Sequence, residues 1–231
     1  MRLIKVLERR WIVFHNNTAD KKGEGIWMPK RWCKWAELCG LCNNPVWGHG
    51  PTDSIIMLVG EGPGYHEDKR GIPFLGKSGQ ELDGYCKKFA HIDRDACYTT
   101  NIIACRTNDD DRDPSQQEID ICTSQYLVPT LQTIRPKFIV AVGSVSARWF
   151  LGEGTVLQKV HGFAYSWQDH GVRATVIPVY HPSFGLHDTR KMRFIQEDFT
   201  AVGEVIRGQR GIKQENKIKG KYMIWGLECT L

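Results

Sequence analysis

The chain has 231 residues, of which 41% are hydrophobic and 25% charged, and this ordinary composition excludes collagen, a coiled coil and long disorder. No stretch approaches the roughly 18 consecutive apolar residues of a membrane span. The net charge of +5 is concentrated near the C-terminus, where six basic residues and one acidic residue lie between Arg207 and Lys221.

The two ends of the chain carry little structural signal. Residues 1–32 are polar and irregular, and the acidic and basic residues at 8–10 interrupt their short apolar runs, so no secretory signal is indicated. We therefore expect an intracellular, cytoplasmic protein with no membrane segment. The basic segment 207–231 has two interpretations that remain open, a solvated tail or a non-specific attraction to a polyanion such as nucleic acid.

Strands and helices are predicted to alternate after a short helix over 32–41. Ser54–Gly60 is a continuous apolar run typical of a buried parallel strand, and a second strand is predicted over 97–105. Between them, a Gly/Pro-rich loop precedes a helix over Ser78–Phe89. Ser115 and Glu118 match the capping box that begins a long helix.

The remaining elements continue the same alternation. A third buried strand is predicted over 137–143, a helix over Ser144–Leu151, a hairpin that turns at Asp169–Gly171 into the last strand, and a final helix over Thr189–Ile206. This order predicts an α/β fold, a three-layer αβα sandwich around a short, mainly parallel four-stranded sheet. The main domain is placed at 33–206, between an N-terminal appendage (1–32) and a basic C-terminal extension (207–231).

Eight cysteines in an intracellular chain indicate a metal site or catalysis rather than disulfides. Cys39 and Cys42 form a Cys-x-x-Cys unit, with Cys33 nearby, and Cys105 and Cys122 flank an Arg/Asp-rich loop. Four thiolates could come from these residues. The other cysteines stand alone in the sequence and are expected to be small buried hydrophobic residues; they are Cys86, Cys97 and Cys229.

Four loops follow the predicted strands, and the carboxyl ends of parallel strands meet in one crevice. Together with their flanks, these loops resemble the uracil-DNA glycosylase superfamily, most closely its iron–sulfur family 4 of bacteria and archaea. The resemblance covers roughly residues 33–206, and its motifs are GEGPGYHEDKRGIPFLGKSGQELD (60–83), YTTNIIACR (98–106), LQTIRPKFIVAVGSVSARWFLG (131–152) and YHPSFGL (180–186).

The resemblance implies hydrolysis of the N-glycosidic bond of a deoxyuridine flipped out of DNA, in base-excision repair, by a monomer. It makes Asn101 the reader of the uracil edge, accepting from N3–H and donating to O4. His181 would donate to uracil O2 as negative charge develops there. Glu61 would orient the attacking water, although Gly62 stands where other branches of the superfamily carry an aspartate.

The resemblance also implies contacts around the base and along the DNA. Gly62, Pro63 and Gly64 would let the loop backbone approach the base, and Phe74 would stack on it. Glu67 would fill the space beside uracil C5 and exclude the thymine methyl. Along the DNA, Ser183 would bind a phosphate, and Leu186 or Phe184 would enter the gap left by the flipped base. Further phosphate contacts are expected from the basic run Arg190, Lys191 and Arg193.

By the same resemblance, Cys39, Cys42, Cys105 and Cys122 would ligate a structural [4Fe–4S] cluster. The familiar spacing would place a cysteine at Ala36, so Cys33 remains an alternative ligand. Two other functions also stay open: a catalytically silent base-binding protein on the same scaffold, and a glycosylase for another deaminated or modified base.

Overall fold

The computed structural model describes residues 42–107, 112–185 and 189–213. Several predicted features lie outside these ranges, namely the appendage 1–32, the helix over 32–41, Cys33, Cys39, Leu186 and the tail beyond Lys213. Within the described ranges, every helix is too short or too polar to cross a bilayer.

A five-stranded sheet forms the centre of the fold, in the order β2-β1-β3-β5-β4. Four strands are parallel, and β4 runs antiparallel to β5. The predicted count of four strands is therefore one too low, because the first arm of the predicted hairpin joins the sheet as an edge strand with alternating buried and exposed residues. The strands are β1 (Ile56–Gly60), β2 (Tyr98–Asn101), β3 (Phe138–Val142), β4 (Tyr165–Asp169) and β5 (Val172–Val179).

Seven α-helices connect and cover these strands in the described ranges, and the Ser115–Glu118 capping box is present as predicted. Helices α3 and α4 form one long helix through a π-helical turn at Thr123–Leu127, just before Pro129, whose ring nitrogen cannot donate a helical hydrogen bond. The helices are α1 (Tyr65–Arg70), α2 (Lys77–Tyr85), α3 (Gln116–Cys122), α4 (Val128–Ile134), α5 (Ser144–Leu151), α6 (Leu157–Val160) and α7 (Thr189–Ile206).

Two hydrophobic layers confirm the predicted three-layer arrangement. Neighbouring residues of a strand point to opposite faces, and Val140 of β3 packs in one layer while Ile139 packs in the other. The first layer includes α2 and α7, with Leu82 and Phe199. The second includes α4 and α5. Because both sheet faces are covered, the free surface for binding lies at the strand ends.

The packed domain extends beyond the end of α7. The Arg207 guanidinium donates to the carbonyl of Ala90 at 3.0 Å, and the backbone N–H of Lys213 donates to the carbonyl of Ala164 at 2.8 Å. The first seven residues of the predicted basic extension are thus joined to the domain by hydrogen bonds, although most of them are exposed, and residues 214–231 lie outside the described ranges.

Candidate active site

Gly60 lies at the carboxyl end of β1, directly beside Asn101 at the end of β2 in the parallel register. A Cβ atom built on Gly60 would lie 2.5 Å from Cζ of Phe74 and still closer to Oδ1 of Asn101. The amide of Asn101 and the ring of Phe74 therefore meet over the bare backbone of Gly60. The structure thus brings together two residues that the resemblance assigns to the base.

The Asn101 side chain is buried without a protein partner. The residue is only 2% exposed, and its amide has no hydrogen-bond partner among the residues that the structure describes. Neither amide atom is among the fully buried, unpaired side-chain atoms of the described residues, so the amide still reaches solvent at the strand end. An accessible amide without a protein partner at the end of a central strand therefore indicates a site for a polar ligand.

The backbone of Phe74 has φ = 52°, a left-handed conformation that is uncommon for an aromatic residue. Arg94 donates from Nη1 to the Phe74 carbonyl at 3.0 Å, and a Cβ on Gly79 would overlap that same carbonyl. Local strain of this kind persists where the surroundings fix it, often at ligand sites. The backbone of Phe74 is consequently held in one place, and the centroid of its ring lies 6.4 Å from that of His181.

His181 is held as a neutral hydrogen-bond donor. The backbone N–H of Ser183 donates to its Nδ1 at 3.2 Å, and the Ser183 hydroxyl lies 2.7 Å from the same atom. Because a backbone N–H can only donate, Nδ1 carries no proton, and the proton of the neutral ring is on Nε2. Burial lowers the pKa of His181, and the negative charge of Glu67 partly opposes this.

Glu67 of α1 joins the two ends of the glycine-rich loop. Its Oε1 accepts the backbone N–H of Gly76 at 2.6 Å, and a Cβ on Gly64 would lie 2.9 Å from Oε2. The carboxylate therefore ties α1 to Gly76 at the end of the loop, and its charge is close enough to act on His181. This tether is a second task for Glu67, beyond the exclusion of thymine that the resemblance implies.

Glu61 follows β1, and its carbonyl accepts the N–H of Ile103 at 3.0 Å. The pKa of its carboxyl is raised to about 7, mainly by burial and also by the nearby Asp113 carboxylate, while the charge of Arg148 opposes both. A carboxyl group that titrates near neutral pH is suited to take a proton from water. Next to it, Gly62 packs on Ile103 and Pro63 is buried.

The predicted DNA-contact residues lie on the other side of the crevice, around the 3₁₀ turn Pro182–Gly185. Phe184 is half-buried and stacks on Tyr180, with centroids 4.3 Å apart, so its ring is part of the packing. The Nζ of Lys191 lies 4.6 Å from the centroid of that ring. The Nε of Arg193 forms a salt bridge with Oε1 of Glu197 at 2.7 Å. Ser183 and Arg190 are exposed, and their contacts with DNA remain predictions.

Asp198 and His161 form a hydrogen-bonded pair that holds the backbone next to His181. The sequence analysis identified neither residue. Asp198 is 1% exposed; its Oδ1 lies 2.6 Å from Nδ1 of His161, and its Oδ2 accepts the N–H of Tyr180 at 2.9 Å. The residue before His181 is thereby fixed to α7. The available signal was an acid on the apolar face of that helix, between Ile195 and Phe199.

Three of the four predicted cluster ligands are described, and all three are buried. The sulfur atoms of Cys42 and Cys105 lie 3.1 Å apart, because the segment after Cys42 pairs with the chain before Cys105 through a 2.6 Å bond from Val46 N–H to the Ala104 carbonyl. Cys122 is 7% exposed. Buried thiols on adjacent segments suit a thiolate-bound cluster, although no three potential ligands are already grouped around one point in the described part of the chain.

Two further cysteines are core residues, as predicted from their isolation in the sequence. Cys86 and Cys97 are each 1% exposed. Burial is the main reason that the pKa of Cys86 is raised, and it also raises the pKa of Cys97 to about 12. Both therefore remain protonated, unreactive thiols at neutral pH.

Comparisons with known proteins agree with this geometry. A family model described as the uracil DNA glycosylase superfamily matches residues 47–202. The type-4 uracil-DNA glycosylase of Sulfurisphaera tokodaii is 34% identical over 197 residues, which cover 84% of this chain and 89% of the relative. Proteins of the same name from Saccharolobus solfataricus and Archaeoglobus fulgidus are 32% and 33% identical, over 76% and 75% of this chain and 82% and 87% of their own lengths.

Proposed function

This chain belongs to the uracil DNA glycosylase superfamily, and on that premise we propose that it excises uracil from DNA as a base-excision repair enzyme. The observation that carries the proposal is the amide of Asn101, which has no partner among the described residues and lies beside the ring of Phe74. A pocket that offers one amide and one aromatic face suits a planar base with a polar edge. It can take that base only after the nucleotide has flipped out of the DNA stack.

Recognition of the base is assigned to Asn101 and Phe74. The amide oxygen accepts uracil N3–H and the amide nitrogen donates to O4, whereas cytosine presents an acceptor and a donor in the opposite order. Phe74 stacks on the ring plane. Glu67 stands beside C5, where it leaves no room for the methyl group of thymine.

The reaction breaks the bond between C1′ of the sugar and N1 of uracil. Negative charge develops on the departing base, and Nε2–H of His181 donates to O2 to stabilise it. Water adds to the positively charged C1′, and its proton passes to the ionised Glu61. Gly62, Pro63 and Gly64 bring the loop backbone to the base.

The test uses single-lesion oligonucleotides that carry uracil, hypoxanthine or thymine, followed by alkaline cleavage at abasic sites. We expect cleavage of the uracil strand and none of the thymine strand. Release of hypoxanthine without uracil would instead support a glycosylase for another base. Binding to uracil-containing DNA without release of any base would support a silent binding protein.

The rate should depend on pH through Glu61. Because the ionised carboxylate takes the proton and its pKa is about 7, single-turnover rates should rise about tenfold per pH unit below pH 7 and level off above it. The pKa of His181 lies below its ordinary 6.5, so this rise is not its titration. Arg148→Gln should move the midpoint upward, because it removes a charge that stabilises the carboxylate. A midpoint that Arg148→Gln leaves in place would contradict the assignment.

We further propose that Cys42, Cys105 and Cys122, together with Cys39, hold a [4Fe–4S] cluster. The cluster would supply a cross-link between the N-terminal segment and the long α3–α4 helix rather than a step at the glycosidic bond. Tyr126 already joins these parts, since its hydroxyl accepts the Gly48 N–H and lies 2.6 Å from Oγ1 of Thr100. The buried thiols on each side of this contact support the assignment.

Anaerobically purified protein should contain about four irons per chain and absorb broadly in the visible range. Cys105→Ala should lose most of the iron and lower the melting temperature. Cys97→Ala is a matched control, since it removes an equally buried thiol and should keep the iron. One zinc and no iron would overturn the proposal. Iron content of Cys33→Ala and Cys39→Ala decides which of these two cysteines is the ligand.

DNA contacts outside the pocket are proposed at the 3₁₀ turn and the start of α7. Ser183 is exposed while bonded to His181, so a phosphate held by its hydroxyl would also position the imidazole. Arg190, Lys191 and Arg193 would extend this contact along the strand, and Phe184 or Leu186 would fill the gap in the stack. The tail beyond Lys213 carries three lysines and would add non-specific affinity to the monomer.

A further inference from the structure

Two cations from different parts of the chain converge on one exposed ring beside the pocket. Tyr65 is 50% exposed at the start of α1. The Nζ of Lys69, one helical turn later, lies 4.3 Å from the centroid of its ring, and the Cζ of Arg106 lies 5.6 Å from it. Arg106 reaches this ring from the loop that follows β2. These three residues are called the Tyr65 clamp below.

The arrangement needs a physical reason, because two like charges at one place repel each other. An aromatic face attracts a cation that stands over it within about 6 Å, and both cations of the clamp satisfy that distance. The ring thus brings the long side chains of Lys69 and Arg106 to one place. The result is a local concentration of positive charge, which suits an anionic ligand.

The helix that carries the clamp is anchored from beneath. Asp68, between Glu67 and Lys69, is only 2% exposed. Its carboxylate accepts the backbone N–H of Asn43 at 2.9 Å and a second bond from the Asn43 amide, while the Asn44 amide donates to the Asp68 carbonyl at 2.9 Å. The clamp therefore stands on a fixed part of α1 rather than on a loose loop.

The clamp also has a defined position relative to the pocket. Helix α1 carries Glu67, whose charge acts on His181, and Arg106 follows five residues after Asn101 on the β2 side. Ser183 and Lys191 follow β5 on the other side. In the sheet order, β2 and β5 are three strand spacings apart, which is about 14 Å. Positive groups thus stand on both sides of the pocket.

We propose that Tyr65, Lys69 and Arg106 bind one backbone phosphodiester of the DNA strand that carries the flipped nucleotide. Lys69 and Arg106 donate charge-assisted hydrogen bonds to the phosphate oxygens, and Tyr65 keeps the two cations together. The strand then crosses the pocket from the clamp to Ser183. This inference rests on the proposed function, because it takes DNA as the substrate.

The test measures binding of the full-length protein to a single-stranded oligonucleotide with one 2′-fluoroarabino analogue of deoxyuridine, which resists cleavage. Lys69→Gln should weaken binding about fivefold at 0.1 M salt and flatten the slope of log K against log salt by about 0.7, the effect of one lost phosphate contact. Lys87→Gln removes the same charge from an exposed site in the π-helical turn Cys86–Ala90, which follows α2. This control should keep the wild-type slope.

Two further arms separate the clamp from a general charge effect. Tyr65→Leu removes no charge, yet it should weaken binding several-fold, whereas Tyr65→Phe keeps the ring and should bind like wild type. Replacing the phosphates beside the analogue one at a time with uncharged methylphosphonates should reveal one position where Lys69→Gln no longer has an effect.

Three outcomes would overturn the clamp. They are a Lys69→Gln variant that behaves like Lys87→Gln, a Tyr65→Leu variant that binds like wild type, and an effect of Lys69→Gln that is equal at every phosphonate position. Failure of the wild-type protein to release uracil from ordinary deoxyuridine would instead contradict the proposed function. The binding experiment stays decisive for the clamp in that case, since its oligonucleotide is never cleaved.

Discussion

Replacing Asn101 with alanine should lower the single-turnover rate of uracil excision by on the order of 100-fold or more. The amide makes two hydrogen bonds to a base that gains negative charge, and charge-assisted bonds in a buried site are worth roughly 1.5–3 kcal/mol each. Stability should not fall in parallel, because the amide has no partner among the described residues that the change could leave unpaired. Rates on uracil oligonucleotides and melting temperatures of the same preparations check both expectations.

Asn101→Asp sharpens this test. An ionised aspartate presents two acceptors, so it repels uracil O4 but accepts the amino group of cytosine. Residual activity should therefore shift from uracil toward cytosine. A wild-type rate for Asn101→Ala, or an equal loss for both bases in Asn101→Asp, would contradict the assignment of this residue to the edge of the base.

The hydrogen bond between Glu67 and the backbone of Gly76 changes the excision rates that we expect for Glu67 variants. On thymine exclusion alone, Glu67→Ala would keep uracil excision within about tenfold of wild type. The structure adds the bond from Gly76 N–H to Oε1, which glutamine can keep and alanine cannot. Comparison of Glu67→Gln with Glu67→Ala on uracil and thymine therefore separates the tether from the steric effect.

The sequence predicts well the strands and loops that surround the site, because these elements depend on local patterns. Continuous apolar runs indicate the central parallel strands, and the loops that leave them must share one edge of the sheet. That rule brings Asn101 close to Phe74 without any structural information. Strand β4 was harder to place, since a hairpin arm in solution and an edge strand show the same alternation of Ser166, Trp167 and Gln168.

Contacts between distant segments could not be predicted in this way. In the sequence, Asp198 is one more acidic residue on an amphipathic helix. In the fold, its Oδ1 lies 2.6 Å from Nδ1 of His161 and its Oδ2 accepts the backbone N–H of Tyr180. Tyr65 and Arg106 likewise belong to different loops, and nothing in their spacing indicates that a cation stands over a ring. Both examples depend on tertiary packing, which a single sequence does not encode in any local period.

Gly60 is the strongest example, because it was visible in the sequence as a motif glycine but had no assigned task. Its φ angle is not in the left-handed region, so its backbone would accept alanine. The lack of a Cβ matters instead for space, since the added atom would meet Oδ1 of Asn101 and Cζ of Phe74. Both are outer ends of side chains, which can shift while the strand stays in register. The residues that move are then the two that hold the base.

Gly60→Ala should therefore lower uracil excision by on the order of 100-fold, because a displacement of about 1 Å at a reacting site has an effect of this size. Its melting temperature should fall only slightly. Gly84→Ala is the matched control: this glycine lies in α2 with nothing within 4 Å of the added Cβ, and a helical alanine should stabilise the fold by about 0.5–1 kcal/mol. The control should excise uracil at the wild-type rate. Equal rates for Gly60→Ala and Gly84→Ala would mean that the base does not sit between Asn101 and Phe74.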